Sequence, residues 1–202
     1  MKKRYLIVLC LAAVVTAGLL FHFLYPSSVK TDEKTVRHMQ VNRSIGSVED
    51  VYRGAAFAAV CTVEEKLPSA YEDWGTGPQL STDFTVRILR TTNPDEGAVG
   101  DTVLMRLRGG ETENEILVVS ASDPDHIKEG QTYLIFFSTE NTTNPDKPFR
   151  YPIGAEYGIY APNDPSDDTG WRSLHGDWSI DASTLVSADA GDVPLLSLLS
   201  EP

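Results

Sequence analysis

The chain has 202 residues, which is enough for one domain with appendages because independent domains usually contain roughly 100–200 residues. Its formal net charge is −12, and beyond Tyr25 it carries 14 basic and 29 acidic residues, a net charge of −15. Such an acidic body repels phosphate backbones and anionic lipid head groups, which argues against nucleic-acid binding and against peripheral membrane contact.

The N-terminal segment is the first element in chain order. Residues 5–25 contain no charged side chain, and as a helix rising about 1.5 Å per residue they would span roughly 30 Å, the thickness of a hydrocarbon core. The basic residues at positions 2–4 precede this segment, so the positive-inside tendency places residues 1–4 in the cytoplasm. The sequence therefore predicts a single-pass anchor in a bacterial cell membrane, with the domain outside the cytoplasm.

A cleaved signal peptide is the alternative to an anchor, with Val15-Thr16-Ala17 as its cleavage site and a secreted mature protein. The apolar residues 19–25 follow directly and favour a retained anchor. A lipoprotein would need a small residue before the acylated cysteine, whereas Leu9 precedes Cys10. With Cys10 in the anchor, Cys61 has no partner and is predicted to be a buried, unreactive thiol.

The next segment, residues 26–45, is polar and poor in large apolar side chains, so it is predicted to be a flexible tether. The extracytoplasmic domain then comprises residues 46–202. It opens with a short helix, since Ser47 followed by two acids is a typical helix start and Gly54 a typical helix end.

Alternation of apolar and polar side chains predicts the strands. These lie at residues 55–65, 82–90, 101–108, 115–119 and 131–138, with one or two more within 149–160. In the third strand the alternation points Arg106 and Arg108 outward. The continuous apolar run 133–137 indicates a central strand covered on both faces.

An acidic loop is expected at residues 162–170, and residues 193–199 are expected to form a short amphipathic helix. Five or six short strands separated by turns, with no long helical pattern between them, favour a mainly β fold. We expect a small OB-like barrel or a sandwich with a short N-terminal helix and a C-terminal helical cap.

Several strand and glycine motifs recur in a recognisable order: Ala55–Val63, Thr85–Leu89, Gly100–Val103 leading into Gly109-Gly110, Gly130–Phe137 and Tyr157–Tyr160. Over residues 47–160 this order resembles uncharacterised Gram-positive membrane-anchored surface proteins and, more distantly, the TIMP/netrin-type OB-fold domain. The resemblance implies an architecture. It implies no inhibitory activity, because TIMP-like inhibitors use a free N-terminal cysteine to chelate a protease metal and this domain begins behind a segment without cysteine.

Motifs that encode catalysis are absent from the sequence: it has no nucleophile elbow, no His-Glu-x-x-His, no phosphate-binding glycine loop and no Cys-x-x-Cys. The four histidines (His22, His38, His126 and His175) are scattered, so neither a zinc site nor any other cofactor is expected. An enzyme would have to assemble its site from loops, for example from His175 and Asp177.

The segment 68–80 carries two aromatic candidates for ligand binding, Tyr71 and Trp74. In small barrels the loop joining the first two strands often borders the ligand surface, and an exposed ring there could stack on a sugar or contact a protein. The favoured alternative is that Trp74 packs as a lid, because tryptophan is largely buried in most proteins. Trp171 and Trp178, which flank His175, allow the same two interpretations.

Hard oxygen donors crowd one loop at Asp164, Asp167 and Asp168, as Ca²⁺ coordination requires. Their spacing does not match the EF-hand, so a solvated acidic loop is the favoured interpretation and calcium binding the minor one. Asn141 begins a glycosylation sequon that a bacterial setting would leave unused, and we assign it to a turn.

The leading hypothesis is therefore a membrane-tethered extracytoplasmic interaction domain that binds a protein or an envelope glycan without catalysis. A cell-envelope hydrolase with a loop-borne site and a secreted protein with a cleaved signal peptide are the alternatives.

Overall fold

A computed structural model of the chain describes residues 34–40, 47–164, 167–175, 178–181, 186–187 and 193–194. All of them fall in one compact unit. The predicted anchor, residues 5–25, lies outside this part of the chain, as does the cytoplasmic segment 1–4. No helix within the described residues is both long and apolar enough to cross a membrane.

The described elements are, in chain order, β1 (Thr35–Met39), α1 (Val48–Gly54), β2 (Phe57–Lys66), β3 (Ala70–Asp73), β4 (Pro78–Thr91), β5 (Thr102–Arg108), β6 (Gly110–Glu111), β7 (Glu115–Val119), β8 (Thr132–Phe137), β9 (Ile159–Asp164), β10 (Asp167–Ser173), β11 (Ser179–Asp181), β12 (Val186–Ser187) and β13 (Val193–Pro194). Two short 3-10 helices occur at Pro124–His126 and Ala155–Gly158. The mainly β class is confirmed. The described part of the chain has thirteen strands where five or six were predicted, and four of the thirteen (β6, β11, β12 and β13) are only two or three residues long.

The predicted start of α1 is confirmed. The Ser47 side chain accepts a hydrogen bond from the backbone N–H of Asp50 at 3.2 Å, so it caps the helix as its sequence position indicates. Val51 is fully buried and attaches the helix to the sheet.

Pairing between the strands produces open sheets. The main sheet has the order β11-β10-β9-β8-β2-β4-β3, with β5 also paired to β4, and a second sheet has the order β1-β7-β6. The predicted barrel is therefore not closed by the strands of the described residues. Isolated backbone bridges include a parallel one between Met105 and Arg150 and an antiparallel one between Phe137 and Pro152.

Strand β8 lies in the middle of the main sheet and separates two hydrophobic cores. Tyr133, Ile135 and Phe137 point into the larger core, whereas Leu134 and Phe136 point into the smaller one, which also contains residues of α1, β9 and β10. All five side chains are at most 1% exposed. Fully burying one such side chain contributes roughly 1.5–3 kcal/mol. The prediction of a central strand covered on both faces is confirmed.

Strand β1 lies within residues 26–45, the segment predicted to be a flexible tether. It pairs in parallel with β7 over five residues, and Lys34 and Arg37 form ion pairs with Glu111 and Glu115. All five residues of β1 are exposed, so the strand leaves no alternating apolar pattern in the sequence. This explains why sequence periodicity did not reveal it.

The C-terminal predictions need two corrections. The expected acidic loop at 162–170 is largely the antiparallel pair β9 and β10, with residues 165–166 outside the described part. The helix expected at 193–199 does not begin at Val193, because Val193 and Pro194 form β13 opposite β12. A residue before proline is driven away from helical backbone angles, which accounts for this error. Residues 195–199 lie outside the described residues.

Candidate functional site

A pocket of about 250 Å³ lies beside Trp74, a residue of the turn between β3 and β4. Its lining residues are Trp74, Thr76, Arg106, Leu107, Arg108, Val119, Ser122, Asn141, Tyr151, Pro152, Gly154 and Ala155. The volume is slightly below the roughly 300–1,000 Å³ of sites for drug-sized ligands, so it fits a single sugar residue or one side chain. The pocket combines aromatic surface with a few polar groups, as small-molecule sites commonly do.

Trp74 is fixed in place and half-buried. Its indole N–H donates a hydrogen bond to Ser81 Oγ at 2.8 Å, and its ring lies 5.3 Å from Phe149 in an edge-on arrangement and 5.9 Å from Tyr151. These contacts make Trp74 part of the cover over the outer face of β5, in line with the lid interpretation. Trp74 also lines the pocket, so its ring both packs against the domain and offers a surface to a ligand.

Arg108 lies over the indole of Trp74, with its guanidinium carbon 4.8 Å from the ring centroid. Such a cation–π contact holds a guanidinium in place at a cost of little conformational freedom. Its backbone carbonyl accepts a hydrogen bond from Ser122 Oγ at 2.8 Å. No carboxylate of the described residues forms an ion pair with Arg108, and the residue lines the pocket.

Arg106 was predicted to point outward from β5. The side chain is nevertheless buried, since the residue is only 2% exposed. The β3–β4 hairpin and Phe149 cover the outer face of β5, and the guanidinium lies 3.9 Å from the Phe149 ring centroid. It forms two hydrogen bonds to Asp83, Nε to Oδ1 at 2.7 Å and Nη2 to Oδ2 at 2.8 Å. This side chain is thus neutralised beneath the pocket.

The carboxylate of Asp83 is kept ionised by its partners. Burial raises the pKa of Asp83, but the hydrogen bonds from Arg106 and Lys147 outweigh burial and hold the pKa below its ordinary value. Lys147 lies 2.9 Å from Asp83 and also pairs with Glu72. Arg150, on the neighbouring segment, pairs with Glu96 at 3.0 Å. Arg106, Lys147 and Arg150 therefore each have a carboxylate partner.

The other aromatic candidates lie away from this pocket. Tyr71 is 53% exposed and contacts Arg37 and Glu115 near β1. Trp171 is 2% exposed and belongs to the smaller core, so its ring offers no binding surface. Trp178 is half-buried, and its ring centroid lies 5.1 Å from that of Tyr157, whose ring also lies 4.7 Å from the His175 ring. The predicted candidates thus occupy separate places, and Trp74 is the one that lines the pocket.

Two histidines meet one buried carboxylate, that of Glu156 in the 3-10 helix Ala155–Gly158. Glu156 is 1% exposed, and its carboxylate lies 3.2 Å from His126 Nδ1 and 3.6 Å from His175 Nδ1. Burial raises the pKa of Glu156, although hydrogen bonds from the Asp123 backbone N–H and His126 act against it. The Ser173 hydroxyl donates to backbone carbonyl oxygens, that of His175 at 2.8 Å and that of Glu156 at 3.3 Å. Asp177, the predicted partner of His175, lies outside the described residues.

Metal-ligating residues do not gather in the described part of the chain, which contains no group of three or more His, Cys, Asp or Glu placed to hold a metal ion. Asp164 is exposed, and the side chains of Asp167 and Asp168 lie outside the described part, so the calcium interpretation stays a prediction. Cys61 is free and fully buried, and burial raises the pKa of its thiol. The predicted burial of this cysteine is confirmed.

Sequence reasoning found Trp74 but missed the residues that complete its pocket. Arg108 was read only as an outward strand residue, Asn141 as part of a turn, and Tyr151 as part of a strand. Glu156 and His126 were missed as partners of His175. The pocket residues Trp74, Arg108, Asn141 and Tyr151 come from four separate segments, and no local motif indicates that the fold brings them together.

Comparison with protein-family models, with curated proteins and with solved structures finds no match for the chain. The resemblance to Gram-positive surface proteins and to TIMP/netrin-type domains therefore stays a prediction.

Proposed function

We propose that the protein is a non-catalytic binding domain whose ligand sits in the pocket beside Trp74. The observation that carries this proposal is the guanidinium of Arg108, held on the Trp74 ring without a carboxylate partner among the described residues. Aromatic rings and arginine are the side chains that dominate binding energy at recognition sites. Its ligand is a protein or an envelope glycan.

The chemistry of the lining favours binding over catalysis. General acid and base catalysis usually relies on histidine, carboxylate, lysine, cysteine or tyrosine. Within the described part of the chain, Tyr151 is the one lining residue of these types, and no carboxylate, imidazole or thiol lines the pocket. The lining does offer hydrogen-bond donors, since Tyr151 carries a hydroxyl and Asn141 an amide. A pocket of this composition is suited to holding a ligand.

We also propose that the domain has an OB-like barrel arrangement, with residues 149–152 in the place of a fifth barrel strand. Two pairs of backbone hydrogen bonds support this. Arg106 N donates to Arg150 O at 2.8 Å and Arg150 N donates to Leu104 O at 2.9 Å on one side. On the other side, Ser138 N donates to Tyr151 O at 2.9 Å and Ile153 N to Phe136 O at 2.8 Å. OB folds commonly bind ligands on such a barrel face and its bordering loops.

The location of the protein is likewise a proposal. The uncharged segment 5–25, preceded by basic residues, favours a single-pass anchor in the cell membrane with the binding domain outside the cytoplasm. Protease accessibility of the domain in intact cells and in lysed cells tests this topology. Digestion in intact cells supports it, whereas protection until lysis would contradict it.

The experiment for the pocket uses the full-length protein, solubilised in mild detergent and immobilised. We expect it to retain components of solubilised cell envelope, and Trp74→Ala to abolish retention. Tyr71→Ala is the matched control, because its ring is exposed and does not line the pocket. Tyr151→Phe removes one hydroxyl and keeps the ring, so it weakens binding without threatening the fold. Equal retention by the parent and Trp74→Ala, with both folded, would refute the proposal.

A hydrolase is the second candidate, favoured by Glu156 between His126 and His175. A buried carboxyl group with a raised pKa beside imidazoles is an arrangement that enzymes use for proton transfer. This function requires hydrolysis of at least one substrate in a chromogenic panel, with loss of activity in both His126→Ala and His175→Ala. Hydrolysis that survives both substitutions would exclude this site.

A further inference from the structure

Charge is distributed very unevenly between two cavities of the described domain. The larger, of about 830 Å³, lies between β6–β7 and the segment after β2. Its lining includes four acidic residues and two lysines: Glu111, Glu113, Asp123, Asp125, Lys34 and Lys66. Both lysines are paired, Lys34 with Glu111 and Lys66 with Asp125. An anion entering this groove would meet no unpaired lysine.

The pocket beside Trp74 has the opposite character. Two arginines and no carboxylate of the described residues line it, although acidic residues outnumber basic ones by about two to one beyond Tyr25. Arg106 is already neutralised by Asp83 and Glu72. Arg108 is therefore the cation that a ligand can neutralise. Screening limits the repulsion from distant acidic residues, since the Debye length is about 8 Å at physiological ionic strength.

The remaining polar groups of the pocket suit hydroxyl groups. Asn141 uses its side-chain oxygen to accept from the Thr143 backbone N–H at 2.9 Å, which leaves the amide NH₂ as a donor. Tyr151 supplies a phenolic hydroxyl, which can donate or accept. Pro152 and the ring of Trp74 add apolar surface. A sugar ring carries many hydroxyl groups and also has apolar C–H faces, so it can contact both the hydrogen-bonding groups and the apolar surface of the pocket.

We propose that this pocket binds an acidic sugar residue of a glycan, with Arg108 paired to its carboxylate. The inference rests on the proposed binding function and specifies its ligand. A guanidinium donates two parallel hydrogen bonds to a carboxylate, which fixes the orientation of the sugar and neutralises its charge. The amide of Asn141 and the hydroxyl of Tyr151 are then available to the ring hydroxyls.

The test measures binding of a uronic-acid tetrasaccharide and of the same tetrasaccharide after reduction of its carboxyl groups to neutral hydroxymethyl groups. Binding to the full-length protein in mild detergent is followed by calorimetry. We expect the acidic form to bind at least about tenfold more tightly, because a charge-assisted hydrogen bond commonly contributes that factor. Arg108→Gln should remove this preference, because it lowers affinity for the acidic form far more than affinity for the neutral form.

Two variants control the result. Arg108→Lys keeps the charge and loses the planar fork, so it should retain part of the preference. Arg87→Gln removes a half-exposed arginine that pairs with Glu64 outside the pocket, so it should leave the affinity for both oligosaccharides unchanged. Circular dichroism and thermal melting establish that each variant is folded.

The outcomes separate this inference from the proposed function. Equal binding of the two oligosaccharides, lost in Trp74→Ala, would overturn the acidic ligand and leave the binding function standing. Arg108-dependent binding of an acidic peptide, with neither oligosaccharide bound, would overturn the glycan in favour of a protein. If the protein binds none of these probes and no envelope component, both the inference and the proposed function fail.

Discussion

Replacing Asp83 by Asn removes a charge from the interior while keeping the size of the side chain. Arg106, at 2% side-chain exposure, would then have Glu72 as its remaining carboxylate partner among the described residues, 3.3 Å from its guanidinium. Removing one partner of a buried ion pair costs about 3–5 kcal/mol. Because Glu72 remains, we expect a loss of about 3 kcal/mol in the free energy of unfolding. Folded domains have about 5–15 kcal/mol in total, so this loss is easily measured.

The assay is urea unfolding of the full-length protein in mild detergent, followed by tryptophan fluorescence. The double variant Asp83→Asn with Arg106→Met should lose less than the two single variants added together, by at least about 1 kcal/mol, because neither buried charge is left without its partner. Glu64→Gln is the matched control. Its pair with Arg87 is substantially exposed, so it should cost less than about 1 kcal/mol.

Acidification gives the same test a second readout. The folded pKa of Asp83 lies below its ordinary value, so its stabilising contribution is present above the unfolded pKa of about 3.9 and is lost as pH falls through the folded pKa. The difference between parent and Asp83→Asn should therefore shrink below about pH 4. A loss under 1 kcal/mol at pH 7, or strict additivity in the double variant, would refute the role given to this pair.

Three further predictions concern buried or strained positions. Cys61 should resist alkylation by iodoacetamide in the native protein and react once urea has unfolded it, because burial raises its thiol pKa. Glu156 has a raised pKa, so its stabilising contribution is present below its unfolded pKa and is lost as pH rises through its folded pKa. Urea unfolding curves should therefore show the parent losing stability relative to Glu156→Gln from about pH 4 upward. Gly110→Ala should cost more than about 1 kcal/mol in urea unfolding, since at φ +127° its methyl group would lie 2.2 Å from Ser69 Oγ, whereas Gly77→Ala, strained at φ +104° but in open space, should cost less.

Much of the central sheet could be predicted from the sequence because its strands obey simple periodicity. The continuous apolar run of β8 indicated a strand covered on both faces, and its alternate residues do enter two separate cores. The cap of α1 was predictable because Ser47 acts on the nearby Asp50 N–H. Features that depend on local chemistry or on burial of a whole strand leave a readable pattern.

The pocket depends on contacts between distant segments, and the sequence shows these poorly. Arg106 and Arg108 occupy equivalent positions in the alternation of β5, yet one is buried against Asp83 and the other lies on Trp74. Which arginine is covered depends on where the β3–β4 hairpin and Phe149 fold over the sheet. Strand β1 was missed for a related reason, because its pairing with β7 involves exposed residues.

The central claim is that a ligand occupies the pocket beside Trp74, and fluorine NMR of the full-length protein labelled with fluorotryptophan tests it most directly. The chain has three tryptophans, at positions 74, 171 and 178, so each can be assigned by a single Trp→Phe substitution. Titration with the uronic-acid tetrasaccharide should shift the Trp74 resonance and leave that of the buried Trp171 in place. A shift at Trp178 with none at Trp74 would contradict the account and move the binding site to the surface around His175.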